Sequence, residues 1–111
     1  MEITNNDDYN RDLIKQNIIE TKSCVNCDFR NKLFGRVWFD VLDSMPRYKI
    51  FDGYNFEGSL MHKDMNYVGF ANCNLKKTNF SGSSNFHNSG FVNCDMENAN
   101  LDNCTINQWY Y

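Results

Sequence analysis

No stretch of this 111-residue sequence approaches the ~20 consecutive apolar residues that a membrane-spanning helix requires, so no membrane partner is expected. The opening MEITNNDDYNRD lacks the basic-then-apolar layout of a signal peptide, which makes a cytoplasmic location the expectation. Positive charge is in short supply too: 11 Lys and Arg stand against 14 Asp and Glu, a net charge of −3. A protein that works by neutralising nucleic-acid phosphates needs clustered cations, so direct nucleic-acid binding is not expected. Catalytic signatures are equally scarce. There is no Gly-rich phosphate-cradling loop and no G-x-S-x-G. Cys24-Val25-Asn26-Cys27 is a lone CxxC. A metal site wants a second pair or histidines at matching spacing, and the only histidines are His62 and His87, both expected to face outward. No enzyme, metal or cofactor is expected, and Cys27, Cys73, Cys94 and Cys104 read as small core fillers. The length suits one domain over residues 1–111.

What is present is a period. Asparagine is used far above its average, mostly after residue 50, and that excess prompts a search for repeats. Large apolar residues recur every five positions as Leu60, Met65, Phe70, Leu75 and Phe80, then after one extra residue as Phe86, Phe91, Met96, Leu101 and Ile106. Two residues before each stand Gly58, Lys63, Val68, Cys73, Thr78, Ser84, Ser89, Cys94, Ala99 and Cys104, short side chains except for Lys63. Immediately before each come residues such as Asp64, Asn74, Asn79, Asp95 and Asn100, which hydrogen-bond neighbouring backbone and tolerate tight turns. An amphipathic helix would repeat near 3.6 and a half-buried strand at 2. A period of five describes a chain that turns a corner after each short side.

The pattern resembles the pentapeptide-repeat family, whose motif A-[DN]-[LF]-X-X appears here as Cys73-Asn74-Leu75, Thr78-Asn79-Phe80, Cys94-Asp95-Met96 and Ala99-Asn100-Leu101. The resemblance implies an all-β fold, a right-handed quadrilateral β-helix in which four pentads complete one coil, regular over residues 57–108. Stacking at four pentads places Leu60 over Phe80 and Leu101, Phe70 over Phe91, Leu75 over Met96 and Cys73 over Cys94. It also turns Lys63 inward, where an unpaired amine is costly, so either the coil around residues 60–64 is loose enough to release it, the favoured reading, or the register there is off by one. Residues 24–56 read as irregular first coils. Cys27-Asp28-Phe29 fits the motif, and Phe34, Phe39, Phe51 and Phe56 keep the spacing. Between them Trp38, Val41, Leu42 and Met45 share a helical face ahead of Pro46, which suggests a helical excursion at 36–45. A helix over 8–20, with Asp7 or Asp8 as N-cap, is expected to cap the first coil, whose edge would otherwise be bare.

Function is then expected on the outer surface. Some proteins of this family imitate duplex DNA, so the resemblance implies a protein-binding module. Its most concrete form is an inhibitor that mimics DNA and blocks a topoisomerase or a phage-defence or CRISPR nuclease complex. Asp64, Asp95, Glu97 and Asp102 are the candidate acidic surface. Residues 51–111 hold six acids against three lysines, so the net −3 lies there, but the acids fall on different sides and Lys76 and Lys77 sit under Asp95 and Glu97. The alternative is a structural or assembly protein that meets its partner through a smooth side carrying Ala71, Asn72, Val92 and Asn93. The aromatic end 109–111 closes the sequence, and Ile106, Trp109, Tyr110 and Tyr111 are the candidate interface of a homodimer, a mode the resemblance also implies.

Overall fold

The computed structural model describes residues 3–83 and 90–104, with side chains from Tyr9 onward. The order of elements is α1 (Ile3–Thr21), α2 (Lys32–Asp43), β1 (Lys49–Asp52), β2 (Val68–Ala71) and β3 (Gly90–Val92). The strands form one parallel sheet in the order β1-β2-β3, with Phe51, Phe70 and Phe91 in register. Two more lines of parallel pairing run beside it, Asn55 to Asn74 to Asp95 and Leu60 to Asn79 to Asn100, and Ser23 and Asp28 add an earlier layer to each. Successive turns of the chain therefore lie on one another. They are joined by bonds such as Phe56 N–H to Asn74 O at 2.9 Å and Leu75 N–H to Asp95 O at 2.8 Å.

Each corner repeats one set of local interactions around an inward-facing large residue. At five corners the residue before it is Asx, and the Oδ1 atoms of Asn55, Asn74, Asn79, Asp95 and Asn100 each accept the backbone N–H two positions on, while Phe70 and Phe91 follow Gly69 and Gly90. The residue two after it has positive φ, as at Asn72 (56°), Asn93 (54°), Asn98 (60°) and Asn103 (60°). Asn and Gly enter that region at least cost. At Gly58 (φ 72°) the demand is doubled, because a Cβ would collide with the Asn26 side chain. The residue two before the large one donates across to the neighbouring layer: Ser59 Oγ to Cys24 O (2.6 Å), Cys73 Sγ to Phe51 O (3.1 Å), Thr78 Oγ1 to Phe56 O (2.9 Å) and Cys94 Sγ to Phe70 O (3.3 Å). Among the described residues no buried side-chain nitrogen or oxygen lacks a partner.

The core is aromatic. Phe51, Phe70 and Phe91 stack with centroids 5.4 and 5.5 Å apart, while Phe56 and Phe80 meet Phe70 edge to face. α2 joins this core from one end. Asn31 caps it by accepting the Phe34 N–H at 2.7 Å, and Val37, Trp38 and Val41 are its buried face. Trp38 lies on Phe51 at 5.3 Å and its indole N–H donates to Asp64 O. α1 packs on α2, with Ile18 buried, and Arg11 holds Asp40 through two bonds of 3.0 and 2.9 Å.

The structure corrects several expectations. The helix expected over 8–20 runs Ile3–Thr21, which puts Asp7 and Asp8 inside it instead of at its N-cap. The excursion expected at 36–45 is α2, which starts at Lys32 and takes Phe34 and Phe39 out of the repeat. Leu60 pairs with Asn79, not Phe80, so the inward residue is Met61, fully buried, and the short residue before it is Ser59 instead of Gly58. The four-residue step from Met61 to Met65 is a further slip in the period, besides the extra residue after Phe80. Lys63 consequently faces solvent, and a changed register, not a loose coil, puts it there. The Phe70–Phe91 and Asn74–Asp95 pairings stand in the expected columns.

Candidate functional site

The outward side of the sheet carries small residues at its centre, Gly69, Ala71 and Gly90. Register sets Ile50 beside Gly69 and Gly69 beside Gly90, and Asp52 beside Ala71 and Ala71 beside Val92. A Cβ on Gly69 would rest against the Ile50 side chain at 3.7 Å, so the glycine leaves Ile50 lying flat on the sheet. Ile50 is 54% exposed and Val92 50%, and Tyr48 and Tyr67 stand exposed just ahead of β1 and β2. Neither helix covers this face. Its edge is an amide ladder: Asn93 Nδ2 donates to Asn72 Oδ1 at 2.6 Å, and Asn72 Nδ2 donates to Asp52 Oδ1 at 3.0 Å. Ala71, Asn72, Val92 and Asn93, named from the sequence, thus share one side. Ile50, Tyr48 and Tyr67 were missed. Their signal was the parallel register itself, which places residues 48–52 a layer below 67–71.

The four carboxylates do not share one surface. Asp95 accepts the Glu97 N–H and stands 4.0 Å from Lys76 Nζ, a partly exposed pair that chiefly neutralises charge. Glu57, on the same side, accepts from Asn74 Nδ2 at 3.1 Å. Asp64 accepts the Asn66 N–H at a different corner beside His62, and Asp102 is exposed after Leu101. Ile106, Trp109, Tyr110 and Tyr111 lie outside the described residues.

Cys24 and Cys27, expected as a lone pair with Cys27 a free filler, are joined in a disulfide at the first layer. Cys73, Cys94 and Cys104 are free. Burial pushes the Cys73 thiol up to about 11, and burial also raises Cys104, so the two are held as thiols that donate to Phe51 O and Phe80 O. His62 is not simply outward. It is half-buried, its ring stacks on Trp38 at 6.4 Å and meets Phe39 edge-on at 4.8 Å, and its Nδ1 accepts the Asp64 N–H at 2.9 Å. Among the described residues no group of three His, Cys, Asp or Glu is placed to hold a metal ion, and no helix is long and apolar enough to cross a membrane.

Parallel layers with Asx corners, inward large residues and hydrogen-bonding short ones define a solenoid of stacked five-residue sides. Residues 64–108 match the family described as Pentapeptide repeats, in eight copies. Among curated proteins and solved structures, none matches the chain.

Proposed function

We propose that this chain is a non-enzymatic binding module, built as a right-handed, four-sided β-helix, that engages a protein partner through the outward side of its parallel sheet. The observation that carries this reading is the exposure of Ile50, Tyr67 and Val92 around Gly69, Ala71 and Gly90. Large apolar groups spaced over a flat surface of small residues suit docking of another protein, because burial is gained without moving the scaffold. The amide ladder of Asn72 and Asn93 supplies a polar rim.

The test is affinity capture from the source cell at low and high salt, with wild type, Ile50→Glu and Val92→Glu as baits. Capture of a partner that persists at high salt and is lost with either variant supports the sheet face. A partner whose capture falls steeply with salt and with neutralisation of Asp64, Asp95 and Asp102, yet survives Val92→Glu, replaces it with the DNA-mimicking inhibitor. The mimic has the net negative charge of residues 51–111 in its favour, while the Lys76–Asp95 pair and the separation of Asp64 from Asp95 weaken its stripe. Homodimerisation through Trp109, Tyr110 and Tyr111 is a further proposal, and analytical ultracentrifugation of the full chain against Trp109→Ala tests it.

A further inference from the structure

Where the chain leaves the first layer to form α2, it encloses a groove of about 410 Å³ with an unusual lining. Arg30, Lys32, Arg36 and Lys63 all border it, and among the described residues no carboxylate does. The acids closest in sequence stand beside the lining without being part of it: Asp28 Oδ1 accepts the Arg30 N–H, Asp64 Oδ1 accepts the Asn66 N–H, and the Asp64 charge acts on His62. In a chain with a net charge of −3, four cations gathered at one opening form a local field opposite to that of the whole.

The cations differ in how firmly they are placed. Arg30 is fixed: its Nε donates to Met61 O at 2.7 Å and its Nη2 donates to Ser81 O, so its charge is set against carbonyl oxygens, and among the described residues no carboxylate forms an ion pair with it. Lys32 and Arg36 are exposed, one helical turn apart on α2, and reach the opening from the end where the helix dipole is positive. His62 adds a neutral donor. Its Nδ1 is occupied by the Asp64 N–H, which puts the ring proton on Nε2, and Nε2 lies 4.0 Å from where a Cβ of Gly35 would stand. Gly35 thus leaves that edge of the imidazole open. Phe39, 42% exposed and edge-on to His62, gives the same groove an apolar wall.

We propose that this groove binds a nucleoside diphosphate. Arg30, Lys32, Arg36 and Lys63 surround its phosphates and Phe39 lies against its base. Guanidinium groups match phosphate oxygens in geometry as well as charge, and a volume of this size falls within the range of small-ligand sites. The charge balance favours a ligand with several negative charges over a single carboxylate, and the exposed ring favours one that carries an aromatic base over bare phosphate.

The test is calorimetric titration of the full chain with ADP, pyrophosphate and adenosine. Lys32→Glu/Arg36→Glu and Phe39→Ala serve as variants, and thermal melts establish that each is folded. Both substituted faces are solvent-exposed, so the fold should survive. Saturable binding of ADP, weaker binding of pyrophosphate, and a loss of about tenfold or more for both in the charge-reversed variant support the proposal. Phe39→Ala should reduce ADP binding towards that of pyrophosphate and leave pyrophosphate itself unchanged. Equal affinities of wild type and the charge-reversed variant for ADP would overturn it. So would the absence of saturation with ADP and pyrophosphate alike, or binding of a single-stranded oligonucleotide or an acidic peptide in their place.

Discussion

Trp38 lies nearly parallel to Phe51, with ring centroids 5.3 Å apart and planes inclined by 20°, and so continues the Phe51–Phe70–Phe91 stack by one more ring. α2 is in this respect a substitute layer. The first turn of the chain has no strand to set against β1, and an indole from a helix covers Phe51 instead. Removing it should uncover the end of the core. Trp38→Ala is expected to destabilise the fold by about 3–5 kcal/mol, the usual cost of deleting a fully buried large aromatic, read as a lowered urea midpoint with unchanged slope. Trp38→Phe should recover most of the loss because the stacked contact with Phe51 is retained.

The distinction between what was legible in the sequence and what was not follows the same line. Phe70, Leu75, Phe80, Phe91 and Met96 stand in a period that no helix or strand produces, and their columns could be read directly. At residue 60 two apolar residues are adjacent, and Leu60 and Met61 both fit a five-residue grid to within one position. Only the backbone pairing of Leu60 with Asn79 decides between them. The excursion was visible as a helical face at Trp38, Val41 and Leu42, but its start was hidden because Phe34 and Phe39 happen to keep the repeat spacing. The short column looked like a packing requirement. The structure adds that its Ser, Thr and Cys residues bond to carbonyls of the next layer. The groove around Arg30 and Lys63 had no sequence signal, since its residues come from two segments far apart in the chain, 29–39 and 62–63.

Ser59 serves two backbone groups at once. Its hydroxyl donates to Cys24 O at 2.6 Å and accepts the Cys27 N–H at 3.0 Å, and the residue is fully buried. Ser59→Ala leaves a donor and an acceptor without partners and should cost about 1–3 kcal/mol for each group that stays buried and unpaired. Thr78→Val, which removes the single bond to Phe56 O and keeps the volume, should cost less. Equal urea midpoints for the two variants would show that water replaces the Ser59 bonds.

Reduction of the Cys24–Cys27 disulfide should leave the fold standing. The loop it closes spans a sequence separation of three, and so short a loop constrains the unfolded chain little, by about 2 kcal/mol at most in the chain-entropy account. The same loop is held by backbone bonds from Cys24 N–H to Asn55 O, Asn26 N–H to Glu57 O and Leu60 N–H to Cys27 O, each 2.8 Å. Far-UV circular dichroism of the protein with and without dithiothreitol should be the same at room temperature, with a modest fall in melting temperature. Unfolding on reduction would mean that the first layer depends on its disulfide more than on these bonds.

His62 should make stability depend on pH near neutrality. Burial holds its pKa below the ordinary value of 6.5; the Asp64 carboxylate opposes that shift and the charge of Arg30 adds to it. Protonation of Nδ1 would also remove the acceptor of the Asp64 N–H. The unfolded chain therefore binds a proton at a pH where the folded chain does not. Stability rises with pH through the interval between the lowered value and 6.5, is fully present above it, and is lost as pH falls through the folded value. The urea midpoint should accordingly drop more between about pH 7.5 and about pH 5.5 in wild type than in His62→Gln, which lacks the titrating ring while the carboxylates common to both cancel. Equal drops in the two proteins would place the imidazole in a more solvated setting than its contacts with Trp38 and Phe39 require.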